Sequence, residues 1–247
     1  MRTFGVASTT TAKNNLRRAH TKTLFLGPED RVETGYAFVH VPKNAGVAIK
    51  TAIKKFKLPI KPCFHSSVVK CVGKRKAIVV VRDPLSRFAS AVHYALEFYS
   101  SKSPNVREIK RANLITVQDW VEAMINPSEK KKGKLIMREI SNVGLKNKKP
   151  HDIDGRRVKF KYTYVPQIAW IGGLDKPIIL RFEHLDEDWS RFLRANDFPS
   201  EAVLSERVTW GGKVSKTPIR SVSLTQDALN YLHQVYKRDF DLYHAVQ

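Results

Sequence analysis

The sequence predicts an α/β fold, a central parallel sheet flanked by helices. Two stretches, 36–41 and 77–81, are short, rich in β-branched residues and apolar on both faces, as strands buried in a parallel sheet are. Each runs directly into a turn and then an amphipathic stretch of helical period, the repeating unit of layered α/β folds. With 247 residues and 42% hydrophobic side chains, one sizeable domain is expected.

Residues 1–34 read as a disordered polar arm. They are free of acids up to Glu29 and carry Arg2, Lys13, Arg17 and Arg18, which loosely fits an organelle transit peptide, but no amphipathic apolar face accompanies them. Residues 35–247 read as one domain with a basic insertion around 129–161. The first strand ends in the turn Pro42-Lys43-Asn44-Ala45-Gly46. A helix from Ala45 to Phe56 follows, with Ile49, Ile53 and Phe56 inward and Lys50, Lys54, Lys55 and Lys57 on the wet side. Pro59 and Pro62 stop it, and residues 63–67 read as a connection entering a helical turn. After the second strand, Asp83 caps a helix with Pro84 in its first position. Phe88, Val92, Ala95 and Tyr99 give that helix its core face. Residues 100–115 are polar and read as loop, and Thr116 caps a short helix over 117–125. A third strand is expected over 177–182 and a helix over 185–195. Ser223 or Thr225 caps a final helix with Leu229, Leu232, Tyr236 and Phe240 inward.

The formal net charge is +21, a field that attracts polyanions: nucleic acid, an anionic membrane, an acidic glycan or a nucleotide. The stretch 129–161 holds twelve Lys and Arg against four acids. It reads equally as a solvated loop region or as a rim that holds an acidic acceptor. No run is long and apolar enough to span a membrane, and the N-terminus lacks a secretory apolar segment. Cys63 and Cys71 form no CxxC motif, and two thiolates do not make a structural zinc site. They read as reduced thiols in a reducing compartment, a disulfide between them being the unsupported alternative.

Two segments carry chemistry. In the first, Gly46 lets the backbone approach a ligand, and the N–H groups of Ala45, Gly46, Val47 and Ala48 open the helix beside Lys43. A helix start with a lysine suits an anionic group. No GxxxxGK[ST] is present, which disfavours ATP hydrolysis. In the second, Arg82 ends a strand, and Ser90 lies about two turns into the following helix, three residues from Arg87. Arg82 and Ser90 are placed to converge on one phosphate at the sheet's C-terminal edge.

As a pair, Pro42-Lys43 after the first strand and Arg82-Asp83-Pro84 with Arg87 and Ser90 after the next resemble the sulfotransferase superfamily. The likeness is nearest to its carbohydrate O-sulfotransferase branch. Weaker matches are Pro166-Gln167, Arg181-Phe182-Glu183 with Leu185, and Tyr236 with Asp239-Phe240. The resemblance spans roughly 36–243 and implies a P-loop-like layered fold. It also implies 3′-phosphoadenosine 5′-phosphosulfate (PAPS) as co-substrate, a hydroxyl acceptor, a carbohydrate or acidic glycan, and no required metal. The loop from Lys43 through Asn44 to Ala48 would hold the 5′-phosphosulfate, and Arg82 and Ser90 the 3′-phosphate. His65 stands where that branch places a catalytic base, and a neutral imidazole suits that role. Lys213 and Lys216 fall in a late loop resembling the segment that closes over the nucleotide. The chain departs from the family loop in having Asn44, Val47 and Ala48 where hydroxyl residues are usual. Each lost hydrogen bond costs about 1–3 kcal/mol if unreplaced. With no anchor in view, a soluble cytoplasmic enzyme is expected, a Golgi enzyme only if an anchor has been removed. The competing readings are a basic nucleic-acid-binding protein on an α/β scaffold, which shows no recognisable binding module, and a nucleotide kinase, which lacks its motif.

Overall fold

The computed structural model describes residues 35–64, 68–99, 103–141, 152–153, 156–157, 163–204 and 223–247. Strand β1 (Tyr36–His40) leads into α1 (Gly46–Lys55). Then come β2 (Ile60–Phe64), α2 (Val68–Val72), β3 (Lys76–Val81) and α3 (Pro84–Tyr94), which continues as a π-helical turn, Ala95–Tyr99. Helices α4 (Pro104–Arg111), α5 (Val117–Ile125) and α6 (Lys130–Ile140) follow. After them come the short antiparallel pair β4 (Asp152–Ile153) and β5 (Arg156–Arg157). The chain closes with α7 (Ile168–Ile171), β6 (Ile178–Arg181), α8 (Leu185–Ala195), α9 (Gln226–Val235) and α10 (Lys237–Val246).

The main sheet has the order β2-β1-β3-β6, all parallel. On one face, Ile49 and Ile53 of α1 and Trp189 and Phe192 of α8 pack on Phe38, Ile78, Val80 and Leu180. On the other, Val72 of α2, Trp170 of α7 and Leu242 and Val246 of α10 pack on Val39, Val79 and Val81. Alternate residues of each strand thus serve opposite layers, which is why both strands read as continuous apolar runs. A third cluster contains no strand residue: Phe88 and Val92 of α3 meet Val106, Ile109, Trp120, Val121, Ile136, Ile140 and Leu232.

Several expectations are corrected. Residues 60–64 are a strand rather than a connection. Pro62 is tolerated because β2 lies at the edge of the sheet among the described residues, and an edge strand accepts a residue without an N–H. Residues 104–111 are helix, capped by Ser103 with Pro104 in first position; only Val106 and Ile109 are fully buried. Inside the basic insertion, α6 buries Ile136 and Ile140. Its central Gly133 is needed for close packing, since a Cβ there would lie 2.4 Å from the Ala123 carbonyl oxygen of α5. The C-terminal helix is two helices that meet at Tyr236. Cys63 and Cys71 are disulfide-bonded, not free thiols. The return of α2 toward β2 sets their Cα atoms 5.8 Å apart, within bridging range. The cysteine argument for a reducing compartment therefore falls. No helix among the described residues is long and apolar enough to cross a membrane.

Candidate anion site at the sheet edge

The chain leaves β1 to build β2 on one side, then crosses back to build β3 on the other. That makes the C-terminal ends of β1 and β3 a topological switch point, where open α/β sheets form a ligand crevice. The loop after β1 and the loop after β3 meet there.

The first loop turns tightly. Lys43 and Ala45 both take positive φ, 70° and 54°. Asn44, only 1% exposed, sends its side chain inward, and its Nδ2 donates to the Val80 carbonyl of β3 at 2.7 Å. Its side chain therefore anchors the loop to the sheet, and its N–H donates to the Val41 carbonyl at 3.3 Å, so Asn44 shapes the loop with all its donors taken. Gly46 is fixed by His40, since a Cβ there would stand 1.9 Å from the imidazole Cδ2.

Helix α1 starts without a cap. Ala45 has no side-chain acceptor, and the first turn holds no acid. The N–H groups of Gly46, Val47 and Ala48 have no acceptor within the helix. By contrast, Asp83, Ser103, Thr116 and Thr225 each cap their own helix through the side chain.

Three cations gather at the loop that leads into this start. The Lys43 ammonium lies 4.0 Å from the Tyr94 ring centroid. Burial pushes its pKa down to about 8, Arg82 and Arg87 push the same way, and Glu97 opposes them. Arg82 is 6% exposed; its Nη1 donates to the Lys43 carbonyl at 2.9 Å, and its guanidinium stacks 4.1 Å from the Phe182 centroid. Arg87, 2% exposed, donates to the Pro42 carbonyl at 3.1 Å and to the Val165 carbonyl at 2.8 Å. Burial lowers the Arg87 pKa, and Asp239 opposes that shift. Tyr94 ends α3 just where it passes into the π-helical turn that carries Glu97, a distortion frequent at functional sites.

The loops are joined behind the site by one buried polar network. Gln167 accepts from the Arg82 N–H at 3.0 Å, donates to the Arg82 carbonyl at 2.8 Å and also accepts from Asn44. Asp239, fully buried, accepts from the Gln167 and Ile168 N–H groups at 2.7 and 2.9 Å. Burial raises the Asp239 pKa against the pull of Arg87 and these bonds. Glu183 accepts from the Asp83 N–H at 3.1 Å. Beneath it, Arg181 grips Asp188 through Nε at 3.0 Å and Nη2 at 2.8 Å.

The structure thus brings Lys43, Asn44, Ala45, Gly46, Val47, Ala48 and Arg82 to one edge. Ser90 is half-buried on α3. His65, Lys213 and Lys216 lie outside the described residues. Tyr94, Arg87 and Phe182 acquire roles that sequence reasoning did not assign. Part of this has a signal in the sequence: Pro166-Gln167, Arg181-Phe182-Glu183 and Asp239, separate weak matches there, are wired to the same two loops. No group of three or more His, Cys, Asp or Glu suited to a metal occurs among the described residues. Comparisons with protein-family models, with curated proteins and with solved structures found no match to this chain.

Proposed function

We propose that this edge binds the phosphate groups of PAPS and that the protein transfers its sulfuryl group to an acceptor hydroxyl. The observation that carries the reading is the uncapped start of α1, with Lys43, Arg82 and Arg87 gathered at the loop that leads into it. Free N–H groups and partly desolvated cations together favour an anion.

In the proposed reaction the acceptor oxygen attacks sulfur in line. The bond from sulfur to the 5′-phosphate oxygen breaks, leaving 3′-phosphoadenosine 5′-phosphate. The hydroxyl proton passes to a base, a role proposed for His65. Lys43 offsets charge on the bridging oxygen as it leaves, and the amides of α1 hold the 5′-phosphate. Charge stabilisation held in place before reaction is often the largest catalytic term. Arg82 and Ser90 are assigned to the 3′-phosphate, and an acidic glycan is the proposed acceptor.

The test is transfer of labelled sulfate from PAPS to a glycan hydroxyl. Lys43→Met is expected to lower turnover about 100- to 1000-fold, as removal of one stabilising donor does elsewhere. His65→Ala is expected to lower it at least about 100-fold. Unchanged rates in both variants would contradict the mechanism.

A further inference from the structure

We propose that the surface made by α1, the outer edge of β2 and α2 is a docking track for an acidic polysaccharide. Residues 35–82 carry eleven Lys and Arg and not one Asp or Glu. More than half of the net +21 thus sits on about a fifth of the chain. The fold lays that stretch out as a continuous half of the sheet layer. Lys54 and Lys55 on α1, Lys57 in the next turn, Lys61 on β2, Lys70 on α2 and Arg75 before β3 are all exposed.

Their order in space follows from the topology. Helix α1 leaves the candidate anion site and runs back along the sheet for about 15 Å. Lys50 and Lys54 follow one another along one side of it, four residues apart, and Lys57 lies just past its end. The chain then turns at Leu58, whose N–H bonds to the Ile53 carbonyl, and β2 returns in the opposite direction. Among the described residues no strand pairs with its outer side, and Lys61 of this strand is exposed. The Cys63–Cys71 disulfide joins its far end to α2, beside Lys70.

This surface differs from the other basic region. On α6 two of the five cations have acids of their own: Lys132 pairs with Glu129 at 2.9 Å and Arg138 with Glu108 at 3.3 Å. The elements between 35 and 82 contain no acid to play that part.

Its chemistry favours a charged glycan over nucleic acid or membrane. Five of the six exposed cations named are lysines, point charges rather than the planar forks that read phosphates and bases. No exposed aromatic ring is available for base stacking among the described side chains of 35–82: Tyr36 and Phe38 are buried and Phe56 packs against the core. Among the described residues the exposed large apolar side chains, Ile115, Val203 and Val235, lie outside this stretch, so none of them accompanies the charge as membrane insertion requires. The track stands on charge and exposure alone; treating its occupant as the acceptor rests on the proposed transfer reaction.

The test uses the full chain and a fluorescent heparin-derived oligosaccharide, titrated across a salt series beside an RNA of matched charge. The triple variant Lys54→Glu/Lys57→Glu/Lys61→Glu is expected to bind the oligosaccharide at least about tenfold more weakly, with a salt slope smaller by up to about 1 per lysine. The corresponding Gln variant is expected to show a smaller loss in the same direction and guards against misfolding, with thermal stability as the check. Lys130→Glu/Lys134→Glu on α6 is expected to leave affinity within about twofold, as charges outside the contact do. Unchanged affinity in both the Glu and Gln triple variants overturns the proposal, as does a larger loss from the α6 pair. Tighter binding of the RNA at equal salt also overturns it, in favour of nucleic acid. Loss of oligosaccharide binding in the triple variant with no response of any form to 3′-phosphoadenosine 5′-phosphate supports the track and sinks the transfer reading alone.

Discussion

Two strand-to-helix junctions lie side by side at the sheet edge, and they are built differently. At the β3–α3 junction, Asp83 accepts from the Ser86 N–H at 2.7 Å, Pro84 fills the first helical position, and the helix start is complete in itself. At the β1–α1 junction, Ala45 contributes no cap, Lys43 and Ala45 hold positive φ, and three cations gather. The first needs nothing further. The second keeps N–H groups and positive charge in reserve, and the buried network of Asn44, Gln167 and Asp239 holds it in that state. The difference teaches where an anion belongs: at α1, with Arg82 reaching across from the other junction.

The largest expected effect comes from removing the brace. Asp239→Ala strips Arg87 of its nearest buried counter-charge and leaves the Gln167 and Ile168 N–H groups without their acceptor. A loss of about 3–5 kcal/mol in urea unfolding is expected, the range for breaking a buried charge arrangement. A loss under about 1 kcal/mol would mean that the network does not hold the junction.

The comparison itself can be broken by making α1 resemble α3. Ala45→Asp supplies a cap and an acid to the first turn, and Asp tolerates the left-handed backbone there better than most residues. Stability is expected to rise by about 0.5–1 kcal/mol, while affinity for 3′-phosphoadenosine 5′-phosphate falls at least about tenfold. A stabilised variant that still binds normally would show that the open helix start is not the anion site. The reverse change, Asp83→Ala, is expected to cost about 1 kcal/mol of stability in the same unfolding assay. It should leave phosphate affinity within about twofold, since only the complete junction loses a part.

A smaller effect sharpens the role of Tyr94. Tyr94→Leu keeps Lys43 covered but removes the ring face beneath its ammonium. The Lys43 pKa is expected to fall by about half a unit, the size of one cation–π contact. Reductive methylation with isotope-labelled formaldehyde, followed by NMR titration of the Lys43 signal, reads it directly.

Much of this frame was legible in the sequence. The uniform apolar runs of β1 and β3 announce a buried parallel sheet because each strand feeds two helix layers. Asp83-Pro84 announces α3 because cap and first residue are both local signals. Strand β2 was hidden by Pro62, a strand breaker everywhere except at an edge, and edges are decided by topology. Helices α4 and α6 were hidden by charge: α4 has two fully buried apolar residues, and α6 carries Gly133 at its centre for a reason that lies on α5. The site divides the same way. Lys43, Gly46 and Arg82 sit next to recognisable turns. The bonds of Arg87 to the Pro42 and Val165 carbonyls and of Asp239 to Gln167 span 45 to 78 residues of chain, so no local pattern encodes them. The disulfide was equally out of reach, because two cysteines eight apart become a pair only when α2 folds back on β2.

The most direct test of the central claim is calorimetric titration of 3′-phosphoadenosine 5′-phosphate in two buffers of different ionisation heat, on either side of pH 8. In the free protein the Lys43 pKa lies near 8, below its ordinary 10.5, so above about 8 Lys43 is mostly neutral while the neighbouring arginines keep their charge. An anion favours the charged form and raises that value, so binding must take up a proton above about pH 8, with full affinity below it and declining affinity above. The account predicts that proton uptake in the parent protein, and weaker binding with none of it in Lys43→Met. Equal binding by Lys43→Met at both pH values, or no binding by the parent protein at either, would contradict it.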